Sequence, residues 1–192
     1  MNRSKSIVLA SALLAIIIGG HAPAWAQPST ASHQRVGPRY LYPDPTVTPG
    51  IANPDITQAN INDTICSPNW STKTIRQPAS YANTRKQQPL ATSKFKDKTP
   101  SHYEEDHFIS LELGGHPRDP KNLWPEMWGT PATPLTSKGP FPPHLVGAKA
   151  KDAVENALHR EVCAGTLTLK EAQHIIATDC FRFYRDRDKV LK

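Results

Sequence analysis

The most regular alternation of apolar and polar positions lies near the C-terminus. Between Gly147 and Ala164, Val154, Leu158 and Val162 recur at i, i+4 and i+8, which predicts a helix with one face turned to a core. Gly165 is suited to stop that helix. Thr168-Leu169-Lys170-Glu171 is a capping box: Thr168 can cap a backbone N–H while Glu171 reaches back. It opens a second helix whose apolar face is Leu169, Ala172, Ile175 and Ile176, with Phe181 as a further member. Upstream the patterns are shorter. Thr72 to Arg76 predicts a short strand after a turn at Ser67-Pro68-Asn69-Trp70. Residues 77–102 carry Arg85, Lys86, Lys94, Lys96 and Lys98 with Tyr81 and Phe95 among them, a pattern that can track a phosphate backbone but slightly favours a solvated connecting segment. An apolar alternation follows His107 and runs into Gly114-Gly115, where the chain can turn sharply. From Pro125 to Pro143 there is no periodicity, and the prolines predict a loop over the surface. Helices and short strands together predict an α+β domain.

Composition adds organisation to this picture. A chain of 192 residues holds one ordinary domain with a core, plus tails. Its 19 prolines, most of them before the last 50 residues, predict long Pro-rich irregular segments in the first two thirds. Residues 1–26 read as a signal peptide. Arg3 and Lys5 form a positive start, Ile7 to Ile18 an apolar run, and Ala24-Trp25-Ala26 a cleavage pattern, so the mature chain would begin at Gln27. The apolar run is short for a membrane span, and no second one exists. The expectation is an exported protein, periplasmic or secreted. Residues 27–55 predict a Pro/Ser/Thr-rich arm, and residues 56–192 the functional domain.

Charge and cysteine content narrow the partners. Without Arg3 and Lys5, 21 of the 23 Lys and Arg face 17 Asp and Glu, a net charge of +4. That surplus suits a polyanion and equally suits simple solubility. Cys66, Cys163 and Cys180 allow one disulfide and one free thiol, with three pairings open. No C-x-x-C is present to build a cysteine zinc site.

The candidate chemistry centres on Glu105-Asp106-His107. A carboxylate is a hard ligand for a divalent cation, and a neutral imidazole is a natural general base near pH 7. The two neighbours can serve one site if the strand bends or ends there, because an ideal strand sends them to opposite faces. Asn122 can brace a loop, orient the histidine or bind metal. Glu155 and His159 are spaced i, i+4 on one face of the predicted helix. With Asp106 they would form a three-ligand site open to water and a phosphate oxygen.

The order D-H, G-G, N-L-W-P, then a helix with K-D-x-x-E-x-x-x-H and V-C-A-G resembles the His-Asn-His (HNH) nucleases of the ββα-metal fold, in particular exported bacterial HNH-like proteins. The likeness covers about residues 50 to 185, including Thr64-Ile65-Cys66 with Asn69-Trp70 and Leu169 to Asp179. It implies a small ββα-metal core, a β-hairpin plus helix, with an added C-terminal helix. It implies His107 as the general base, Asn122 as the middle asparagine, and Asp106 and His159 as metal ligands, with Glu155 a further one. It implies one divalent ion, Mg²⁺ first and Mn²⁺ or Zn²⁺ as alternatives for a mixed O/N site. Cys180 stands where that group carries a tryptophan, which makes it the odd thiol and pairs Cys66 with Cys163.

The function expected from all this is metal-dependent hydrolysis of DNA, and of RNA as an alternative, with little sequence preference. A second class is a non-catalytic protein of the same fold that binds nucleic acid or the envelope, against which the presence of both Asp106 and His107 argues. A third is a hydrolase of another ester. H-E-x-x-H, G-x-S-x-G, P-loop and dinucleotide signatures are all missing from the chain.

Overall fold

The computed structural model describes residues 42–130, 132–133, 135–136, 147–178 and 180. The expected signal peptide, the first part of the arm, the second half of the Pro-rich loop, Phe181 and the basic end lie outside the described residues. Within them the chain is α+β, with three helices and one two-stranded hairpin.

The hairpin pairs β1 (Tyr103–His107) with β2 (Leu123–Met127) in antiparallel register, Glu104 opposite Glu126 and Asp106 opposite Trp124. β1 ends at His107, the condition under which Asp106 and its neighbour can share a site. β2 runs through Pro125 to Met127, so the irregular loop begins later than the prolines predict. Pro125 costs one ladder donor, which a two-stranded sheet tolerates because each strand is an edge.

Alternation along β1 splits the hairpin into two faces. Tyr103 packs with Leu90 and Met127 on one side, against α1 (Ala79–Thr92). Trp124 joins the main core on the other, with Val154, Ala157, Leu158 and Val162 of α2 (Ala148–Cys163). The predicted stripe of α2 is thus the buried one, and Gly165, with φ at +77°, follows its end. In α3 (Leu169–Thr178), Leu169, Ala172 and Ile176 are buried. Its capping box is formed as expected, with Thr168 N donating to Glu171 Oε2 at 2.8 Å and Glu171 N to Thr168 Oγ1 at 3.2 Å.

Two expectations from local pattern are corrected. Residues 79–92 form a helix where a connecting segment was expected; it buries only Leu90, so it carries no apolar stripe to betray it. Lys98 closes its end, donating to Leu90 O at 2.8 Å and Ser93 O at 2.7 Å. Thr72–Thr74 is a single 3-10 turn capped by Ser71, where β-branched residues had suggested a strand. A capping serine outweighs weak strand preference in so short a segment.

The chain between the strands packs on itself. Phe108, Leu111 and Leu113 are buried, and Gly114 takes φ of +71°. A Cβ at Gly115 would stand 1.8 Å from Ile109 O, so this turn requires glycine there. The arm continues onto this turn. Gly50 N donates to Lys121 O at 3.0 Å, Asn53 N to Gly114 O at 2.8 Å, and His116 N to Ile51 O at 2.8 Å. A Cys66–Cys163 disulfide ties the segment beyond the arm to the end of α2, and Cys180 is the buried free thiol. The disulfide is compatible with an exported protein. No helix among the described residues is long and apolar enough to cross a membrane.

Candidate active site

On the α2 side of the hairpin, β1 and β2 present three carboxylates. Glu104 and Glu126 face each other across the strands, and Asp106 lies two residues along β1. Like charges placed directly opposite destabilise a hairpin unless something compensates. The compensation comes from Lys151 on the first turn of α2, a side chain 2% exposed. Its ammonium stands 2.6 Å from Asp106 Oδ2 and 3.9 Å from Glu126 Oε2, and donates to His107 O at 3.0 Å. It also pairs with Glu155, one helical turn on.

One buried ammonium among Glu104, Asp106, Glu126 and Glu155, with Lys149 paired to Asp152 at the exposed edge at 3.3 Å, leaves the cluster poor in positive charge. Burial alone would raise Asp106, but the charge and hydrogen bond of Lys151 outweigh it and hold Asp106 below the ordinary range. The other four remain raised, chiefly by burial: Glu104 to about 9, Glu155 to about 8, Glu126 well up, and Asp152 up. Lys151 is desolvated too, yet Asp106, Glu155 and Glu126 hold its proton firmly.

Oxygens of Glu104, Asp106 and Glu126 lie within 4.8 Å of one another, the spacing of a shared cation. Glu126 is 2% exposed and interacts with Asp106 and with the Lys151 ammonium, which lies 3.9 Å from its Oε2. Three hard oxygen donors fit Mg²⁺ or Mn²⁺ better than Zn²⁺.

His107 occupies the opposite face, 5% exposed. Its Nε2 lies 3.1 Å from Pro117 O. A carbonyl only accepts, so Nε2 carries the proton, and in the neutral ring Nδ1 is left as a bare lone pair. Nδ1 is buried and has no hydrogen-bond partner among the described residues. Burial first lowers the pKa of His107, outweighing Asp106, so the neutral form prevails. The ring lines a cavity of about 510 Å³ between α1 and the hairpin, with Arg76, Gln77, Tyr81, Lys86 and Glu105.

Asn122 is fully buried and its amide is fully occupied. Oδ1 accepts from Ile51 N at 3.3 Å and Ile109 N at 2.9 Å; Nδ2 donates to Ile109 O and His116 O, both at 3.0 Å. Of the roles open to it, the geometry gives it the brace between arm and turn, with no amide atom left for a ligand.

His159 does not join Asp106. Its Nε2 is 2.8 Å from Ile65 O, beside the disulfide, in a separate cavity with Trp70 and Glu112. Cys66, His159 and Cys163 have ligand-like spacing, but both sulfurs are spent in the disulfide. Asp106 and Glu155 are brought together, through Lys151 rather than directly.

Sequence reasoning missed Glu104, Glu126 and the central place of Lys151. Two signals pointed to them. Glu104 shares a strand face with Asp106 by alternation, and Lys151 shares a helix face with Glu155 at i, i+4. No family model, curated protein or solved structure matches the chain.

Proposed function

We propose that the chain is an exported metal-dependent phosphodiesterase of nucleic acid, acting on DNA or RNA through a ββα-metal-like core. The observation that carries this reading is His107: a neutral imidazole whose Nε2–H is committed to Pro117 O while the buried Nδ1 has no hydrogen-bond partner among the described residues, in a ring that lines a cavity. That is the arrangement of a general base; the carboxylate cluster lies on the other face of β1, and Glu104 is the member of it that also lines the cavity with His107.

In this mechanism Nδ1 of His107 takes a proton from the attacking water. The carbonyl of Pro117 fixes the ring and stabilises the imidazolium that results. Glu104, Asp106 and Glu126 would hold one divalent ion, replacing the expected set of Asp106, Glu155 and His159. Such an ion supplies positive charge for the scissile phosphate and its leaving oxygen. Lys151 keeps Asp106 ionised, and Asn122 holds the turn that carries Pro117 close to His107.

The test is degradation of plasmid and of RNA by the oxidised mature protein, with Mg²⁺, with Mn²⁺ and with chelator, beside His107→Ala. Cleavage that needs the metal and falls by about 10²–10⁴-fold in the variant is expected for loss of a general base. Intact substrate under every metal would end this reading.

One observation favours a non-catalytic nucleic-acid-binding protein: Lys151 already stands among the carboxylates where a metal would compete with it. Tight nucleic-acid binding with no cleavage and no metal uptake would decide for it.

A further inference from the structure

The cavity beside His107 holds more unsatisfied polar atoms than a general base alone explains. Among the described residues, buried Gln77 Nε2 has no acceptor and the buried carboxylate oxygens of Glu105 have no donor. Both residues line the cavity, and Glu105 is 9% exposed. A donor and an acceptor left open in one concave site match the edge of a nucleobase, which offers both in one plane. Tyr81, 39% exposed, stands on the α1 wall as a face for stacking. Arg76 lines the same cavity and forms no ion pair among the described residues. Lys86 adds a second cation, anchored on Tyr103 O at 2.9 Å. About 510 Å³ suits a single small ligand rather than a duplex.

We propose that this cavity seats one unpaired nucleotide of a single-stranded nucleic acid, its base between Tyr81 and the Gln77/Glu105 pair and its phosphate near Arg76 and His107. The inference rests on the phosphodiesterase reading for its biological setting. A paired base has its Watson–Crick edge and both faces occupied, so a site that uses that edge and a face selects single strands. The acidic floor belongs to this picture: Glu105 accepts from base amino or imino groups, while the phosphate stays at the basic rim. The basic and aromatic residues of 76–86 then act as a nucleotide wall, while Phe95 and Lys98 are structural, Phe95 stacking on Tyr103 and Lys98 closing α1.

Fluorescence anisotropy in chelator tests this without turnover. The probes are a labelled oligodeoxynucleotide, an oligoribonucleotide of the same sequence, and a duplex of the same length. A single strand of either sugar should bind about ten-fold or more tightly than the duplex. Tyr81→Ala should weaken single-strand binding about ten-fold, as loss of one base–aromatic stack does, and Tyr81→Phe should restore it. Gln77→Ala should weaken it as well. Equal or tighter binding of duplex overturns the proposal, as does unchanged single-strand affinity in both alanine variants. Comparison of the deoxy and ribo probes assigns the sugar. Single-strand binding through Tyr81 without any cleavage would remove the hydrolase reading and leave this one standing. Cleavage by a protein whose binding ignores Tyr81 and Gln77 would do the reverse.

Discussion

Asn122 and Lys151 divide the labour at the scale of single residues. Asn122 touches no open space; its worth is the four hydrogen bonds it makes while fully buried. Asn122→Ala strands Ile51 N, Ile109 N and two carbonyls. With each unsatisfied buried group costing about 1–3 kcal/mol, a loss of about 3 kcal/mol or more is expected in urea unfolding. A loss under about 1 kcal/mol would make the brace unimportant. Lys151 is a buried charge surrounded by its opposites. Lys151→Met leaves those carboxylates without their internal cation and should cost about 3–5 kcal/mol in chelator. Adding Mg²⁺ should return part of that stability if the cluster takes a metal, and none if it does not. These two residues also mark how far the sequence could be read. The D-H pair and the helix face bearing Glu155 were visible as spacing. That Asn122 faces inward and that Lys151 sits between Asp106 and Glu155 depends on how the elements approach, which no local pattern encodes.

At the scale of elements, the hairpin and α2 form a charged layer whose stability depends on pH. Glu104, Glu155 and Glu105 are raised to about 9, 8 and 7 from 4.5, mainly by burial. Between 4.5 and those values the folded protein holds protons that the unfolded chain has released, so stability falls as pH rises. His107 works the other way: its folded pKa is lowered from 6.5, so its contribution grows with pH up to about that point and is then complete. Asp106, lowered from 3.8, contributes fully throughout that range. The clean window is therefore pH 6.5 to about 9, where the melting temperature in chelator should decline. Glu104→Gln should flatten the decline, and a melting temperature that climbs across that window contradicts the burial of these groups. The same layer explains which elements were legible. α2 and α3 announce themselves through stripes and a capping box. α1 does not, because it docks by Leu90 alone and its other faces meet solvent or the cavity.

On the scale of the whole molecule, the Cys66–Cys163 disulfide joins residues 97 apart in sequence and links the segment after the arm to the far end of α2. Closing so long a loop contributes about 2–4 kcal/mol. Reduction, or Cys66→Ser with Cys163→Ser, should lower unfolding free energy by that amount. Cys180, buried beside Tyr42 and raised to about 12, should stay unreactive to thiol reagents in the folded protein. Labelling of Cys180 at native pH without unfolding would contradict its burial. The pairing itself was not deducible from the three cysteines alone, since spacing says nothing about which ends of the fold meet.

The ion pair between Asp106 and Lys151 also sets an order of events in time. It spans 45 residues, and the bond from Leu169 N to Gln58 spans 111. As the chain emerges, the hairpin is complete some two dozen residues before Lys151 appears. During that interval Glu104, Asp106 and Glu126 face one another without their cation, and the hairpin is held by Tyr103 and Met127 against Leu90 and by the bonds of Asn122. The His107 side of the hairpin draws on residues that precede α2, whereas the carboxylate side is completed only when Lys151 arrives.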